Sequence, residues 1–271
     1  MAAQGKLGII GSGRMAEALL RGWLRARKFA REEVLASDIE ADRRKVFAEG
    51  LRVGATEDNR AVARHAGVLL VAVKPQVLER VCRPVAEEMG ENALIISIAA
   101  GVRLERLEAI FGADRAIVRV MPNILHTVRE GVAALCANGA VAREQLDYTL
   151  DLFRALGVAE PVEERLMDAV TGLSGSGPAF VFLFLEALAD GAVAAGLPRS
   201  LALPFAAQTT LGAAKWVREG KHPAELKDLV TSPGGTTIAG LRAAEAGGLR
   251  SAVMEAVIAA ARRSEELGRA G

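Results

Sequence analysis

The sequence predicts an α/β fold. A doubly wound parallel sheet occupies residues 1–162, and an all-helical domain follows over residues 163–271. Three observations carry this expectation. Short apolar runs alternate with helical patterns through the first half, as in strands joined by crossover helices. The first run leads straight into a glycine-rich turn and a helix. From about residue 163 strand signals fade and long apolar segments of helical spacing take over.

Residues 6–10, Lys-Leu-Gly-Ile-Ile, read as a buried strand, followed by Gly11-Ser12-Gly13-Arg14-Met15-Ala16 and a helix over 15–27. Gly11 permits the tight turn, Gly13 lets backbone N–H groups approach a pyrophosphate, and Ala16 lets helix pack closely on strand. Phosphate charge then rests at the positive end of the helix. A second strand over 33–37 ends at Asp38, where dinucleotide folds meet the adenosine ribose. An acid there favours a free 2′-hydroxyl, hence NAD. Arg43 and Arg44 follow within two helical turns and suit a 2′-phosphate, so coenzyme choice stays open at this stage. Further strands read at 67–73, 93–98 and 116–120, with helices at 77–89 and 104–111. Three strand ends carry polar or constrained residues: Val73-Lys74-Pro75-Gln76, Ser97-Ile98-Ala99-Ala100-Gly101, and Met121-Pro122-Asn123. Ligands of open α/β sheets bind beyond the carboxyl ends of strands, so these three ends mark a functional rim.

In the second half, Ser176-Gly177-Pro178 reads as a helix cap with proline in the first turn. The helix over 179–195 is apolar on almost every face through Leu185. A helix apolar all round is buried on all sides, and here another subunit is expected to supply part of that burial. Helices follow at 199–219, 222–230, 237–246 and 249–267. Ser232-Pro233-Gly234-Gly235-Thr236-Thr237 opens the fourth of these five. Its glycines allow a backbone nest and its threonines add hydroxyl donors, which suits a small carboxylate. An ordinary helix start fits the same spacing. Two anion cradles in one chain suggest two anionic ligands, a dinucleotide and a substrate.

Composition narrows the classes. A net charge of +1 and 51% hydrophobic residues argue against disorder and against a nucleic-acid partner. The two cysteines, Cys82 and Cys136, belong to no metal-type cluster. One disulfide is arithmetically possible, while two buried thiols in a reducing compartment fit better. The apolar stretch over 178–185 is too short to span a bilayer before Glu186 and Asp190, so no membrane association is expected. Residues 1–6 carry no signal-peptide pattern, and a cytoplasmic protein is the expectation. The three histidines form no catalytic constellation: His65 and His222 read as structural, and His126 sits in a loop of interest.

The chain resembles the pyrroline-5-carboxylate reductases over nearly its whole length. The most specific segments are Asp168-Ala169-Val170-Thr171-Gly172-Leu173-Ser174-Gly175-Ser176-Gly177-Pro178-Ala179 and Leu226-Lys227-Asp228 through Thr237. The Gly11 turn, Ala72-Val73-Lys74-Pro75 and Met121-Pro122-Asn123 fall in the expected order. The resemblance implies a Rossmann-type dinucleotide-binding domain and a helical dimerisation domain, with homodimers that often assemble into decamers. It implies reduction of the cyclic imine 1-pyrroline-5-carboxylate to L-proline by NADPH or NADH, the last step of proline biosynthesis. Cofactor contacts would fall on Gly11, Ser12, Gly13, Arg14, Met15, Asp38, Asn59, Val73, Lys74, Pro75, Ala99, Ala100 and Asn123. Substrate contacts would fall on Glu164, Ser232, Gly234, Gly235, Thr236 and Thr237, with Thr237 the expected donor to the imine nitrogen. No metal is implied, and in the family the active sites form between subunits. Three departures stand out. Ile124-Leu125-His126 follows Met-Pro-Asn where the family usually continues Thr-Pro. Leu229 replaces a common polar residue, and Asp38 replaces a common neutral one.

Two competing readings differ in testable ways. A 3-hydroxyacid dehydrogenase would carry a lysine base on the first helix of its second domain, and residues 174–185 hold none. A non-catalytic nucleotide-binding protein would have no use for an intact Ser232–Thr237 cradle.

Overall fold

The computed structural model describes residues 5–270. The expectation about the N-terminal leader therefore rests partly on residues 1–4, which lie outside the described residues. By contacts the chain divides into two compact units. One contains the chain up to Gly175 together with Ala260 onward, and the other is Ser176–Ala259. The sequence placed its boundary at 162/163. The segment between the two boundaries counts with the sheet because Met167 is buried against Ala134 and Cys136.

The sheet unit holds eight strands: β1 Leu7–Ile10, β2 Val34–Ser37, β3 Gly54–Thr56, β4 Val68–Val71, β5 Leu94–Ser97, β6 Ile117–Pro122, β7 Gly131–Ala137 and β8 Gly157–Pro161. Their order is β3-β2-β1-β4-β5-β6-β7-β8. Every neighbouring pair is parallel except β6 and β7, where Val118 faces Ala137 and Pro122 faces Ala133. The connecting helices are α1 Arg14–Arg25, α2 Ala41–Lys45, α3 Asn59–His65, α4 Pro75–Ala86, α5 Leu104–Phe111, α6 Arg143–Arg154 and the short α7 Met167–Val170. Strands β1 and β4 carry no polar side chain because both faces of the sheet are covered there. Along β4, Val68 and Leu70 join one core while Leu69 and Val71 join the other. The first core gathers Trp23, Phe47 and Phe153, and Trp23 Nε1 donates to Leu152 O at 2.9 Å. The strand order reverses direction between β1 and β4. The crevice above their carboxyl ends is where such sheets bind ligands.

The helical unit contains α8 Gly177–Ala194, α9 Arg199–Arg218, α10 Pro223–Leu229, α11 Thr236–Ala246 and the first part of α12 Leu249–Ala270. Its core is small: Ala189, Ala202 and Ala206 pack α8 on α9. Within the single chain α8 is not buried all round. Only Pro178 and Ala189 are buried, while Phe182 is 57% and Leu183 68% exposed. Two sequence expectations need correction here. Ser176 precedes α8 but makes no side-chain cap bond, because the chain enters the helix directly from a wide π-type turn over Thr171–Gly175. That continuity also lengthens the apolar segment. The helical run Glu164–Ala194, 31 residues, is long and apolar enough to cross a membrane by length and composition.

Candidate active site

The Gly11–Ala16 segment shapes the first cradle. Gly11 has φ +94°, and a Cβ there would lie 2.8 Å from the Ala72 carbonyl oxygen, so only glycine fits. Gly13 is the residue before α1, and a Cβ on it would meet nothing within 4 Å. Open space thus covers the first turn of α1, whose leading N–H groups lack intrahelical acceptors. The intervening residue is held from both sides. Ser12 N–H donates to Asp38 Oδ2 at 2.7 Å, and Arg43 Nε donates to Ser12 O at 2.6 Å. Arg43 Nη2 also donates to Glu17 Oε2 at 2.8 Å. Burial pushes the Glu17 carboxyl up, but hydrogen bonds from Arg43 and Arg21 outweigh this and hold it below its ordinary value.

A cleft of about 590 Å³ opens at this turn. Of the residues expected at a cofactor, Gly11, Gly13, Arg14, Asp38, Asn59, Val73 and Lys74 line it. Ile39, Glu40, Arg43, Val77, Arg80 and Val81 line it too. Among the described residues Arg14, Lys74 and Arg80 have no ion-pair partner. The cleft therefore has cationic groups to spare for an anion, the charge balance a dinucleotide requires. Ile39 is 86% exposed, an apolar platform beside Asp38. Val77, Arg80 and Val81 share one face of α4, at a spacing readable in the sequence once Lys74 is placed on the rim.

Other expected cofactor residues lie elsewhere. Ser12 is buried, and its hydroxyl donates to Ser37 O at 3.2 Å. Met15 packs against the core, and Ala99 is buried. Pro75 and Ala100 line a separate hollow of about 330 Å³ with Gly101 and Arg103. Asn123 is buried with its amide fully engaged. Its Nδ2 donates to Ser174 O and Oγ at 3.2 Å, and its Oδ1 accepts from Leu125 N and Val132 N, also at 3.2 Å. Asn123 thereby ties the turn Ile124–Val128 to β7.

Glu164 Oε1 accepts from the buried Arg119 Nη1 at 2.7 Å and from Leu104 N at 2.8 Å. Both bonds fall on one oxygen of the carboxylate. His126 is buried against Phe153, with Nδ1 3.3 Å from Leu156 O. Burial lowers its pKa. His65 Nε2 lies 2.9 Å from Glu33 O, and His222 Nδ1 accepts from Ala224 N, so both serve structure. Cys82 and Cys136 are buried free thiols, and burial pushes each up to about 12. No metal-type cluster occurs among the described residues.

In the helical unit, Gly234 has φ +66°, and Gly235 N donates to Ser232 O at 3.1 Å, closing a tight turn before α11. Gly235 precedes α11 and offers no side-chain cap. The first N–H groups of α11 thus lack intrahelical acceptors, and the first two helical residues are the exposed Thr236 and the half-buried Thr237. The segment expected to cradle a second anion falls on this turn.

Comparison with known proteins bears on both units. Residues 164–267 match the family model described as pyrroline-5-carboxylate reductase dimerisation, and residues 6–101 match one described as NADP oxidoreductase, coenzyme F420-dependent. A pyrroline-5-carboxylate reductase of Synechocystis is 50% identical over 97% of this chain and 98% of its own length. The Escherichia coli pyrroline-5-carboxylate reductase is 39% identical over 97% and 98%. The crystal structure of Plasmodium falciparum pyrroline carboxylate reductase with NADP bound superposes with TM-score 0.89 at 33% identity, covering 99% of both chains.

Proposed function

The chain belongs to the pyrroline-5-carboxylate reductase family, and from that premise we propose that it reduces 1-pyrroline-5-carboxylate to L-proline with NADH or NADPH. The observation that supports this most strongly is the pair of helix starts with open N–H groups. One stands over a dinucleotide-sized cleft in the sheet unit, and the other at Gly235 in the helical unit.

The residues of the cleft fit a dinucleotide. Gly13 leaves room for a pyrophosphate, the start of α1 supplies N–H donors, and Arg14 and Lys74 supply unpaired positive charge. Asp38 and Asn59 stand at the ribose end. When bound, the coenzyme supplies hydride to the imine carbon. Everything else is positioning and electrostatics. The Ser232, Gly234 and Gly235 turn takes the substrate carboxylate, with Thr236 as a second donor. The Thr237 hydroxyl hydrogen-bonds the ring nitrogen as it changes from iminium to amine. Glu164, held by Arg119, orients the segment that precedes the helical unit and keeps one oxygen for the substrate. Ser12, Met15, Pro75, Ala99, Ala100 and Asn123 act by shaping the turn and the rim. Functionally, the substrate and dimerisation domain begins near residue 163, upstream of the division by compactness.

A second copy of the chain covers the apolar face of α8 and α9. A groove of about 620 Å³ on that face is lined by Phe182, Leu183 and Leu203 but also by Glu186, Asp190 and Arg199. Arg199 and Asp190 form an ion pair there. Charges on the face suit a protein partner far better than lipid hydrocarbon. Dimers associate further into decamers, and the protein works in the cytoplasm without a nucleic-acid or membrane partner. Purified protein should oxidise NADH or NADPH only when 1-pyrroline-5-carboxylate is added. No imine-dependent loss of either coenzyme would refute the proposal.

A further inference from the structure

We infer that the chain prefers NADH to NADPH and that Asp38 sets the preference. The inference rests on the assignment of the 590 Å³ cleft as the coenzyme site. Asp38 follows the carboxyl end of β2 and lines that cleft. Its carboxylate is fixed in place: Oδ2 accepts from Ser12 N at 2.7 Å, and Oδ1 accepts from Glu40 N at 3.0 Å. Each oxygen keeps acceptor capacity after one such bond, so a ribose diol finds a preset acceptor. A 2′-phosphate placed there meets a carboxylate that is held in place.

A phosphate is tolerated beside a carboxylate only if an arginine is free to neutralise it. The two arginines of α2 are spoken for. Arg43 Nε donates to Ser12 O, and its Nη2 pairs with Glu17. Arg44 Nη1 donates to the carbonyls of Asp38 and Ile39 at 2.9 Å, and its Nη2 lies 3.6 Å from Glu57. A 2′-phosphate at Arg43 would compete with Glu17 and with the carbonyl of Ser12 for the same guanidinium. Arg14 and Arg80, the unpaired arginines of the cleft, lie on α1 and α4 rather than α2. Asp38 and Arg43 thus hold Ser12 by its N–H and its C=O, while Asp38 presents an acceptor to the ribose.

The test is direct binding of NADH and of NADPH to the purified protein, followed by coenzyme fluorescence without any imine. Wild type should bind NADH about tenfold or more tightly than NADPH. Asp38→Asn, which keeps an acceptor for Ser12 N–H while removing the charge, should narrow that ratio. Glu17→Gln, which loosens the hold on Arg43, should improve NADPH binding relative to NADH. NADPH bound as tightly as NADH by wild type, or a ratio unmoved in Asp38→Asn, would overturn the inference. Because no imine enters the experiment, a failure to reduce the imine leaves this result intact, and the two outcomes are separable.

Discussion

Replacing Phe182 and Phe184 by glutamate should break the protein into monomers or leave it insoluble. In the single chain Phe182 is 57% and Phe184 41% exposed, with Val181, Leu183 and Leu188 open beside them. An aromatic side chain offers roughly 200 Å² for burial. Phe182 and Phe184 therefore leave about 110 Å² and about 80 Å² for a partner to cover. At about 25 cal/mol per Å² this is about 5 kcal/mol per protomer. In a two-fold dimer each residue counts twice, for about 10 kcal/mol. That is an upper limit, since burial in the interface need not be complete, but half of it exceeds three decades in dissociation constant. The introduced carboxylates add a desolvation cost on top. Sedimentation velocity at micromolar concentration reads the outcome. A soluble, active assembly of wild-type size would refute the placement of the interface on α8. Partition of the wild-type protein into phospholipid vesicles would show that lipid, not a second copy, covers this face.

Three further outcomes follow from the geometry. Gly11→Ala places a Cβ 2.8 Å from Ala72 O at φ +94°; strain of about 1–3 kcal/mol at the turn should weaken binding of both coenzymes at least fivefold while the chain still folds, and unchanged affinity would show that the turn is not at the coenzyme. Cys82 and Cys136, with pKa values near 12, should resist iodoacetamide in the native protein at mildly alkaline pH and react after denaturation, as judged by intact mass. Burial lowers the pKa of His126 from 6.5, so below that value the unfolded chain binds a proton that the folded chain does not, and stability falls with acidification by at most about 1.4 kcal/mol per pH unit. His126→Gln should reduce the loss of Tm between pH 7 and pH 5, and an identical loss in both proteins would mean that His126 does not titrate on unfolding.

Much of the sheet was legible because β1, β4 and β5 are short apolar runs that lead into glycine or polar residues. The strands that escaped notice explain themselves. β3 has only three residues, β8 ends in Pro161, and β7 reads Gly-Val-Ala-Ala-Leu-Cys-Ala, with little β-branched or aromatic content. The antiparallel pairing of β6 with β7 follows from the tight turn at Ile124–Val128, which Asn123 caps through its side chain. The sequence offered Asn123 as a rim ligand; its bond from Leu125 N is a local cap, but its bonds to Val132 and Ser174 reach across the fold and leave no local signature. The bracket formed by Asp38, Ser12, Arg43 and Glu17 is equally invisible in one dimension. Conversely, the apolar helix around Phe182 was readable because no solvated helix in a single chain tolerates such a surface.

The most direct test of the account uses 1-pyrroline-5-carboxylate and reduced coenzyme carrying deuterium at both C4 positions. L-Proline should accumulate in step with coenzyme oxidation, with one deuterium at C5 of the ring, detected by mass spectrometry. Coenzyme oxidation without proline, or proline lacking the label, would contradict hydride delivery to the imine carbon.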